Sequence, residues 1–386
     1  MNPGAPPPGA AALATLARRF QGFDVGDALY EPLCRIVADR PDWLAMLWVA
    51  PPGQQLPNLW LAALHDRVLA GAGPGLRAYF ASVGGTRPPD AALADHLESF
   101  VREEQAALLD SIRTRRTQTN EIGRCAVLWP AMRQIAARRG ASDIALLDLG
   151  CSAGLNLGVD RYGYVYSHET EAVSRAGGRL LRPASRSRAM APPTLHCRSV
   201  GPVGLPAAQP APAVVARLGI DPAPVDVNDA AALRWLRACI WPNDTDRAQR
   251  LLRAAALARR ERWPVRTEAD CMAAIEPWLD GLPPGVLPVV FNSWVLHYFE
   301  PAALAAHVQR MQDLVVRRGV AWLSAEGPHV RIGAPAAPPP FEPGIDAALT
   351  TLWTWADASA GGLRFEHLAR SHAHGRWVEW LAAGPG

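Results

Sequence analysis

The sequence contains no lysine, so all 39 of its basic residues are arginine. A chain without lysine cannot form a Schiff base with a carbonyl substrate. It also cannot bind phosphate through the lysine of a P-loop or of a protein kinase. These classes of enzyme are therefore excluded before any motif is considered.

Charge of one sign, paired cysteines and long apolar runs are also scarce. The 39 basic residues face 36 acidic ones, and a net charge of +3 gives no electrostatic footprint for nucleic acid or anionic lipid. The six cysteines include no C-x-x-C pair, and no apolar run is long enough to cross a membrane. We therefore expect a cytoplasmic protein that acts on a small molecule, without a metal site and without nucleic acid or membrane as partner. The oligomeric state is left open.

Residues 1–118 show the spacing of amphipathic helices and no alternation typical of strands. The helical patterns are separated by Pro- and Gly-rich turns and run through residues 11–20, 44–48, 59–70, 91–99 and 100–114. We predict a helical N-terminal cap or lid domain over residues 1–118.

From residue 119 to residue 386, short apolar runs alternate with helical patterns, as in a parallel sheet covered by helices. The predicted strands are residues 144–147, 214–221, 264–267, 286–296 and 320–324, with a terminal antiparallel pair at 349–355 and 376–381. A Pro/Arg-rich insertion lies near residues 167–212. The predicted fold is α/β, with a Rossmann-like, mostly parallel sheet that has helices on both faces and follows the helical N-terminal domain.

A Gly-rich turn at residues 148–154 follows the first predicted strand, and a helix is predicted to begin at Leu155. Ligands of open α/β sheets bind at the carboxyl ends of the strands, beside the first one. Gly150 allows a sharp turn and a close approach of backbone to ligand, and Gly154 allows the following helix to pack closely. The N-terminus of that helix would favour an electronegative group.

The turn fits three functional hypotheses. The pattern D/E-x-G-x-G-x-G of class I S-adenosylmethionine (SAM) methyltransferases is met at Asp148, Gly150 and Gly154, with Ser152 at the central Gly position. The same residues spell G-x-S-x-G, the nucleophile elbow of serine hydrolases, in which Ser152 would be the nucleophile. Its base would then come from a downstream histidine, namely His297, His329 or His374. A non-catalytic SAM- or nucleotide-binding protein is the third hypothesis. The helical pattern before the turn and the acidic residue at 148 favour the methyltransferase.

Several segments resemble those of a known bacterial family and occur in the expected order. They are residues 147–157 with 160–162, and also 119–121, 221–226, 241–242 and 374–377. They resemble the uncharacterised family called domain of unknown function 2332, most specifically at Ser152 to Asn156. The resemblance implies a methyltransferase-like fold but supplies no established reaction. In class I methyltransferases, the residue at Asp148 lies by the methionine end of SAM and the glycines pass beneath it.

The same likeness implies further cofactor-binding residues. An acidic residue after the second strand would hold the ribose hydroxyls, and Asp221 or Asp226 has that position; a turn cap is the alternative for both. Asp270, after the third strand, would meet the adenine amino group, or else cap the next helix. Asn156 completes the predicted cofactor site.

Candidate catalytic and substrate-binding residues lie at strand and loop ends. Asn292 and His297 follow the fourth strand, where they would orient a nucleophile or accept its proton, although a lone histidine is more often a core residue. His374 is a third catalytic candidate, and Glu326 lies on the same predicted rim. The predicted substrate-binding residues are Asn120, Glu121, Arg124 and Tyr162. The D/N-P-P-Y/F motif of nucleobase amino-methylation is absent, so DNA chemistry is unsupported.

Overall fold

The computed structural model describes residues 8–23, 26–51, 53–168, 179–181, 191–201, 203–206, 210–333, 349–358 and 361–381. The chain divides into two compact units, one of residues 1–119 with 226–252 and one of residues 120–225 with 253–386. The sequence alone did not separate residues 226–252 from the C-terminal domain. Within the described ranges, no helix is long and apolar enough to cross a membrane.

Helices make up the first unit and also flank the sheet of the second. Numbered along the chain, they are α1 (Ala10–Gln21), α2 (Tyr30–Ala38), α3 (Pro41–Ala45), α4 (Pro57–Leu69), α5 (Pro74–Arg77), α6 (Leu93–Thr114), α7 (Cys125–Arg138), α8 (Ala230–Ala238), α9 (Thr245–Glu261), α10 (Ile275–Asp280) and α11 (Pro301–Arg318). The prediction of a helical N-terminal region is confirmed. The patterns predicted as two helices at 91–99 and 100–114 form the single helix α6.

The core of the first unit forms around α4. This helix is apolar on nearly every side, and its residues from Leu59 to Leu64 are all buried. Helix α6 is amphipathic instead, because its buried residues recur every three to four positions, as in Leu93, Leu97, Phe100 and Val101. The other helices of the unit add their apolar faces to the same cluster.

One sheet organises the second unit. Its strands are β1 (Asp143–Leu149), β2 (Gly163–His168), β3 (Arg179–Leu181), β4 (Thr194–Val200), β5 (Ala213–Asp221), β6 (Val265–Thr267), β7 (Leu287–Ser293), β8 (Ala321–Glu326), β9 (Thr350–Asp357), β10 (Arg364–His372) and β11 (Trp377–Trp380). Within the described residues the order is β3-β2-β4-β11-β10-β9-β8-β7-β1-β5-β6, and six of the ten neighbouring pairs are parallel. The predicted α/β class with a mostly parallel sheet is confirmed.

The parallel half of the sheet places the Gly-rich turn at a topological switch point. After β1, the chain forms β5 and β6 on one side and then β7 and β8 on the other. If β2–β4 are set aside as an insertion, this is the 3-2-1-4-5 order of a Rossmann-type sheet, whose ligands bind at the carboxyl ends beside the first strand. Leu149, the last residue of β1, pairs with Ile220 of β5 and Asn292 of β7. The carboxyl ends of all three strands therefore lie side by side.

The helix predicted after the Gly-rich turn is wrong. A single 3-10 turn covers Leu155–Gly158, and the chain then enters β2 at Gly163. A Cβ on Gly158 would lie 2.0 Å from the indole of Trp263, so this ring packs directly against the backbone at the end of the 3-10 turn. The argument that a helix dipole attracts an electronegative group to this turn therefore no longer applies.

The predicted insertion contributes to the sheet. Strands β2, β3 and β4 lie within or beside it, and β2 pairs with both of the others. The parts of the insertion at 169–178, 182–190, 202 and 207–209 lie outside the described residues.

The predicted terminal antiparallel pair is part of a three-stranded meander. Strand β10, which the sequence analysis did not predict, lies between β9 and β11 and is antiparallel to both. Arg370 in β10 is only 3% exposed and forms an ion pair with Glu379 of β11. Because its charge is paired, the arginine can be buried inside the sheet. A charged residue at a buried position also breaks the polar–apolar alternation by which a strand is predicted from sequence.

Candidate functional site

The Gly-rich turn has a left-handed backbone at every second residue. The φ angles of Gly150, Ser152 and Gly154 are 70°, 52° and 66°. The spacing of small residues in the pattern follows from this, since glycine adopts positive φ without a steric cost. Ser152 takes the same conformation at a cost of about 1–2 kcal/mol. At Gly150, a Cβ would lie 2.5 Å from the side chain of Val295, after β7.

Ser152 is fixed by hydrogen bonds to two predicted site residues. Its N–H donates to Asp221 Oδ2 at 2.8 Å, and its Oγ accepts from Asn120 Nδ2 at 2.7 Å. The N–H of Ala153 donates to Asn120 Oδ1 at 3.2 Å. Three segments far apart in the sequence therefore define the shape of the turn.

Asp148 is a buried carboxylate at the base of this turn. Its side chain is 1% exposed, and its Oδ2 has no hydrogen-bond partner among the described residues. Burial raises its pKa well above the ordinary value, the charge of Asp221 raises it further, and Arg124 opposes the rise. An acceptor atom without a partner inside a protein costs free energy, so it is expected to serve a ligand.

The raised pKa makes stability depend on pH. The unfolded chain releases the Asp148 proton at its ordinary pKa, whereas the folded protein retains it to higher pH. The free energy of unfolding therefore falls as the pH rises from the unfolded pKa through the folded one. Asp148→Asn cannot ionise, and we expect it to be about 1–3 kcal/mol more stable than the wild type at neutral pH.

Urea unfolding of both proteins from about pH 4 to pH 8 tests this prediction. Asp280→Asn is the control, because the side chain of Asp280 is 68% exposed and pairs with Arg318. The control should leave the pH profile unchanged. A profile of Asp148→Asn parallel to that of the wild type would contradict the assignment.

The remaining predicted cofactor-binding residues differ in their surroundings. Asp221 is the half-buried last residue of β5. Its Oδ1 accepts from the N–H of Ala223 at 2.8 Å and its Oδ2 from the N–H of Ser152, so each oxygen stabilises a loop. Asp270 is exposed, caps the 3-10 turn Cys271–Ala274 through Met272 N–H and pairs with Arg310. Asn156 is half-buried and accepts from Cys125 Sγ at 3.3 Å.

Two candidates have structural partners of their own. Asp226, the alternative to Asp221, belongs to the first unit, where its Oδ1 accepts from the backbone N–H and the side-chain amide of Asn228. Tyr162 is 1% exposed, and its hydroxyl donates to the carbonyl of Leu155 at 2.6 Å. It therefore supports the 3-10 turn from within the core.

Both polar atoms of the Asn292 side chain are hydrogen-bonded to neighbours inside the sheet. Its Nδ2 donates to Glu326 Oε1 at 2.7 Å and to Ser324 Oγ at 3.0 Å, and its Oδ1 accepts from Trp322 Nε1 at 2.9 Å. With 0% exposure, Asn292 orients Glu326 rather than a substrate. Glu326, which the sequence analysis placed only on the rim, becomes a central residue of the site.

Glu326 holds the loop that carries His297. Its Oε1 also accepts from the N–H groups of Val295 and Leu296, at 2.9 Å and 3.1 Å. Its Oε2 lies 3.7 Å from His297 Nδ1. The loop turns sharply after β7, because Trp294 has a φ of 58°, and the indole Nε1 donates to Thr351 Oγ1 at 2.7 Å.

A second polar cluster links the segment before α7 to the turn between β10 and β11. Arg124 is 5% exposed and donates to the carbonyl of Ala373 at 2.7 Å and to Ser293 O and Oγ at 3.2 Å and 3.1 Å. Glu121 is also buried, and its Oε2 lies 3.4 Å from His374 Nδ1. The guanidinium of Arg124 lies 5.6 Å from the centre of the Trp294 ring.

The site therefore joins segments of the second unit that are far apart in the sequence. Asp148 and Ser152 belong to the Gly-rich turn, Asn120 and Asp221 are hydrogen-bonded to it, and Val295 connects it to the loop of His297. Ser293 and Trp294 lie at the strand end where the sequence predicted catalytic or substrate-binding residues, but they were not themselves selected as site residues. Among the described residues, no group of three or more His, Cys, Asp or Glu is arranged to hold a metal ion.

Comparison with known proteins identifies a family without a described activity. No curated protein matches the chain. A family model described as "Uncharacterized protein conserved in bacteria (DUF2332)" matches residues 21–380. The match covers nearly the whole chain, and the protein therefore belongs to this family.

Proposed function

We propose that this protein is a SAM-dependent methyltransferase that acts on a small molecule. The observation that carries the proposal is the buried, unpartnered Oδ2 of Asp148 beneath a left-handed Gly-rich turn at the switch point of the sheet. SAM carries an ammonium group, which is a suitable partner for a carboxylate oxygen that no protein group satisfies.

The other residues of the turn fit the same cofactor. Gly150 and Gly154 give the turn its left-handed backbone, and Asp221 is a half-buried carboxylate whose oxygens, although each accepts one backbone N–H, keep lone pairs for ribose hydroxyls. Asp270, exposed after β6, is the proposed contact of the adenine amino group, and Asn156 lies beside the turn. When bound, SAM supplies an electrophilic methyl group, so the protein mainly has to position the acceptor and exclude water.

The serine hydrolase hypothesis is disfavoured by the hydrogen bonds of the turn. A nucleophile elbow forms its oxyanion hole with the N–H of the residue after the serine. Here that residue is Ala153, and its N–H donates to Asn120 Oδ1. Ser152 Oγ accepts from the amide of the same asparagine. These bonds point to a structural role for Ser152 in shaping the turn.

Calorimetric titration of the full-length protein with SAM and with S-adenosylhomocysteine tests the proposal. We expect binding by the wild type and a loss of about 100-fold in affinity for Asp148→Asn. The ammonium group of SAM would lower the raised pKa of Asp148 on binding, and asparagine cannot supply the resulting carboxylate. Because Asp148→Asn is expected to be the more stable protein, unfolding would not explain the loss. Binding should also raise the melting temperature of the wild type.

Ser152→Gly is the matched variant, since it restores the glycine of the class I pattern. It should bind SAM within about threefold of the wild type, because glycine accepts the positive φ at this position. A fluorophosphonate probe should leave Ser152 unlabelled. No SAM binding by the wild type, or labelling that Ser152→Gly abolishes, would contradict the proposal. Binding without turnover of any acceptor would instead indicate the non-catalytic SAM-binding protein.

A further inference from the structure

The imidazole of His297 contacts two aromatic rings at the carboxyl end of β7. Its ring centre is 3.8 Å from that of Tyr298 and 5.6 Å from that of Trp294. Nδ1 is buried, yet the side chain as a whole is 23% exposed, so the exposed part is the far side of the ring, where Nε2 lies. The ring therefore has one protected nitrogen and one accessible nitrogen.

Glu326 fixes the orientation of this ring. Within the described part of the chain, neither His297 Nδ1 nor Glu326 Oε2 has a hydrogen-bond partner, and the two atoms lie 3.7 Å apart, close enough for an electrostatic interaction but too far for a hydrogen bond. A carboxylate on the Nδ1 side keeps the proton on that nitrogen and leaves the lone pair on Nε2. Glu326 cannot easily turn away, because Asn292 and two backbone N–H groups hold its Oε1.

The surface around Nε2 is apolar and aromatic. Tyr298 is 69% exposed, which is unusual for a large aromatic side chain, and the half-buried Trp294 contacts the imidazole edge to face. Arg124, the cation nearest to Trp294, is committed to the carbonyl of Ala373 and to Ser293. The surroundings thus favour a flat, uncharged molecule over an anion.

We propose that His297 Nε2 is the proton acceptor for an aromatic hydroxyl group, that is, a phenol that lies against Tyr298 and Trp294. This inference rests on the proposed function, because it names the acceptor class of the same site. A carboxylate acceptor is already ionised at neutral pH and needs no base, and an aliphatic alcohol is too weak an acid for an imidazole. A phenol matches both the base and the aromatic neighbours.

The step is a single proton transfer. The O–H bond of the phenol breaks, its proton moves to Nε2, and the electron pair stays on the oxygen as a phenolate. The imidazolium that forms keeps its second proton on Nδ1, where the carboxylate of Glu326 stabilises the new charge. His297 is then the catalytic residue, while Glu326 and Asn292 are positioning residues.

Binding of 4-nitrophenol to the full-length protein, without any cofactor, tests this directly. Its phenolate absorbs visible light and the neutral phenol does not, so the spectrum of the bound molecule reports proton transfer. At a pH below the pKa of free 4-nitrophenol, we expect binding by the wild type to increase the phenolate band. His297→Gln should still bind but without the increase, and Glu326→Gln should reduce the increase by about tenfold.

His196→Gln is the matched control. His196 is an exposed histidine on β4, which four strands separate from β7, and its replacement should leave both binding and spectrum unchanged. An equal phenolate band in His297→Gln and the wild type, or no binding by the wild type, would overturn the inference. The calorimetry with SAM is an independent experiment. SAM binding without nitrophenol binding would overturn this inference and leave the proposed function standing. Nitrophenol binding without SAM binding would overturn the proposed function and leave the proton transfer to His297 standing.

Discussion

Arg124→Met should lower the free energy of unfolding by about 2–4 kcal/mol, because it removes the hydrogen bonds that a buried charged donor makes to otherwise unsatisfied acceptors. Arg124 is 5% exposed and donates to three acceptors, the carbonyl of Ala373 and two oxygens of Ser293. Methionine fills a similar volume but donates to none of them, so buried carbonyl groups lose their partner. The variant also loses the cation that opposes the rise in the pKa of Asp148.

Urea unfolding at neutral pH measures this effect, with Arg266→Met as the matched control. Arg266 is 54% exposed and lies 4.0 Å from Glu268, a surface pair whose loss should cost less than about 1 kcal/mol. SAM affinity should fall with Arg124→Met and be unaffected by the control. A loss of stability as small as that of Arg266→Met would show that the three hydrogen bonds contribute little.

Several of the strands that the sequence predicted are almost completely buried. Strands β1 and β8 are buried along almost their whole length, so their apolar runs are visible without any partner. Strand β10 was missed because Arg370 and Glu379 pair inside the sheet, and β2 because Leu155–Gly158 begins like a helix. Both failures arise from tertiary contacts that local patterns do not contain.

The candidate site also combines features that the sequence predicted with features that it did not. The Gly-rich turn was predictable, because its left-handed positions demand small residues at a fixed spacing. The hydrogen bonds that link Ser152 to Asn120 and Asp221 were not predictable, since these partners lie 32 and 69 positions away from Ser152. The carboxylate beside His297 was equally hidden, because Glu326 is 29 residues further along the chain and only the pairing of β7 with β8 brings them together.

Gly375→Ala should be among the most damaging single substitutions in the second unit. Gly375 has a φ of 66°, and a Cβ there would lie 2.1 Å from the carbonyl oxygen of Gly123. Backbone atoms cannot move aside as a flexible side chain can, so the turn between β10 and β11 would have to shift away from the segment before α7. We expect a loss of about 2–5 kcal/mol, the sum of overpacking and left-handed strain.

Substitutions at two further glycines separate the cost of the steric clash from the cost of the left-handed strain. Gly123 has no positive φ, but its Cβ would lie 2.3 Å from the carbonyl oxygen of His374, so Gly123→Ala measures the clash, about 1–3 kcal/mol. Gly285 has a φ of 82° with nothing within 4 Å, so Gly285→Ala measures the strain alone, about 1–2 kcal/mol. In urea unfolding, Gly375→Ala should lose more free energy of unfolding than either Gly123→Ala or Gly285→Ala. If Gly375→Ala costs no more than Gly285→Ala, the close approach of the two backbones is not rigid. The contacts of Glu121 with His374 and of Arg124 with Ala373 would then have to be held by their side chains alone.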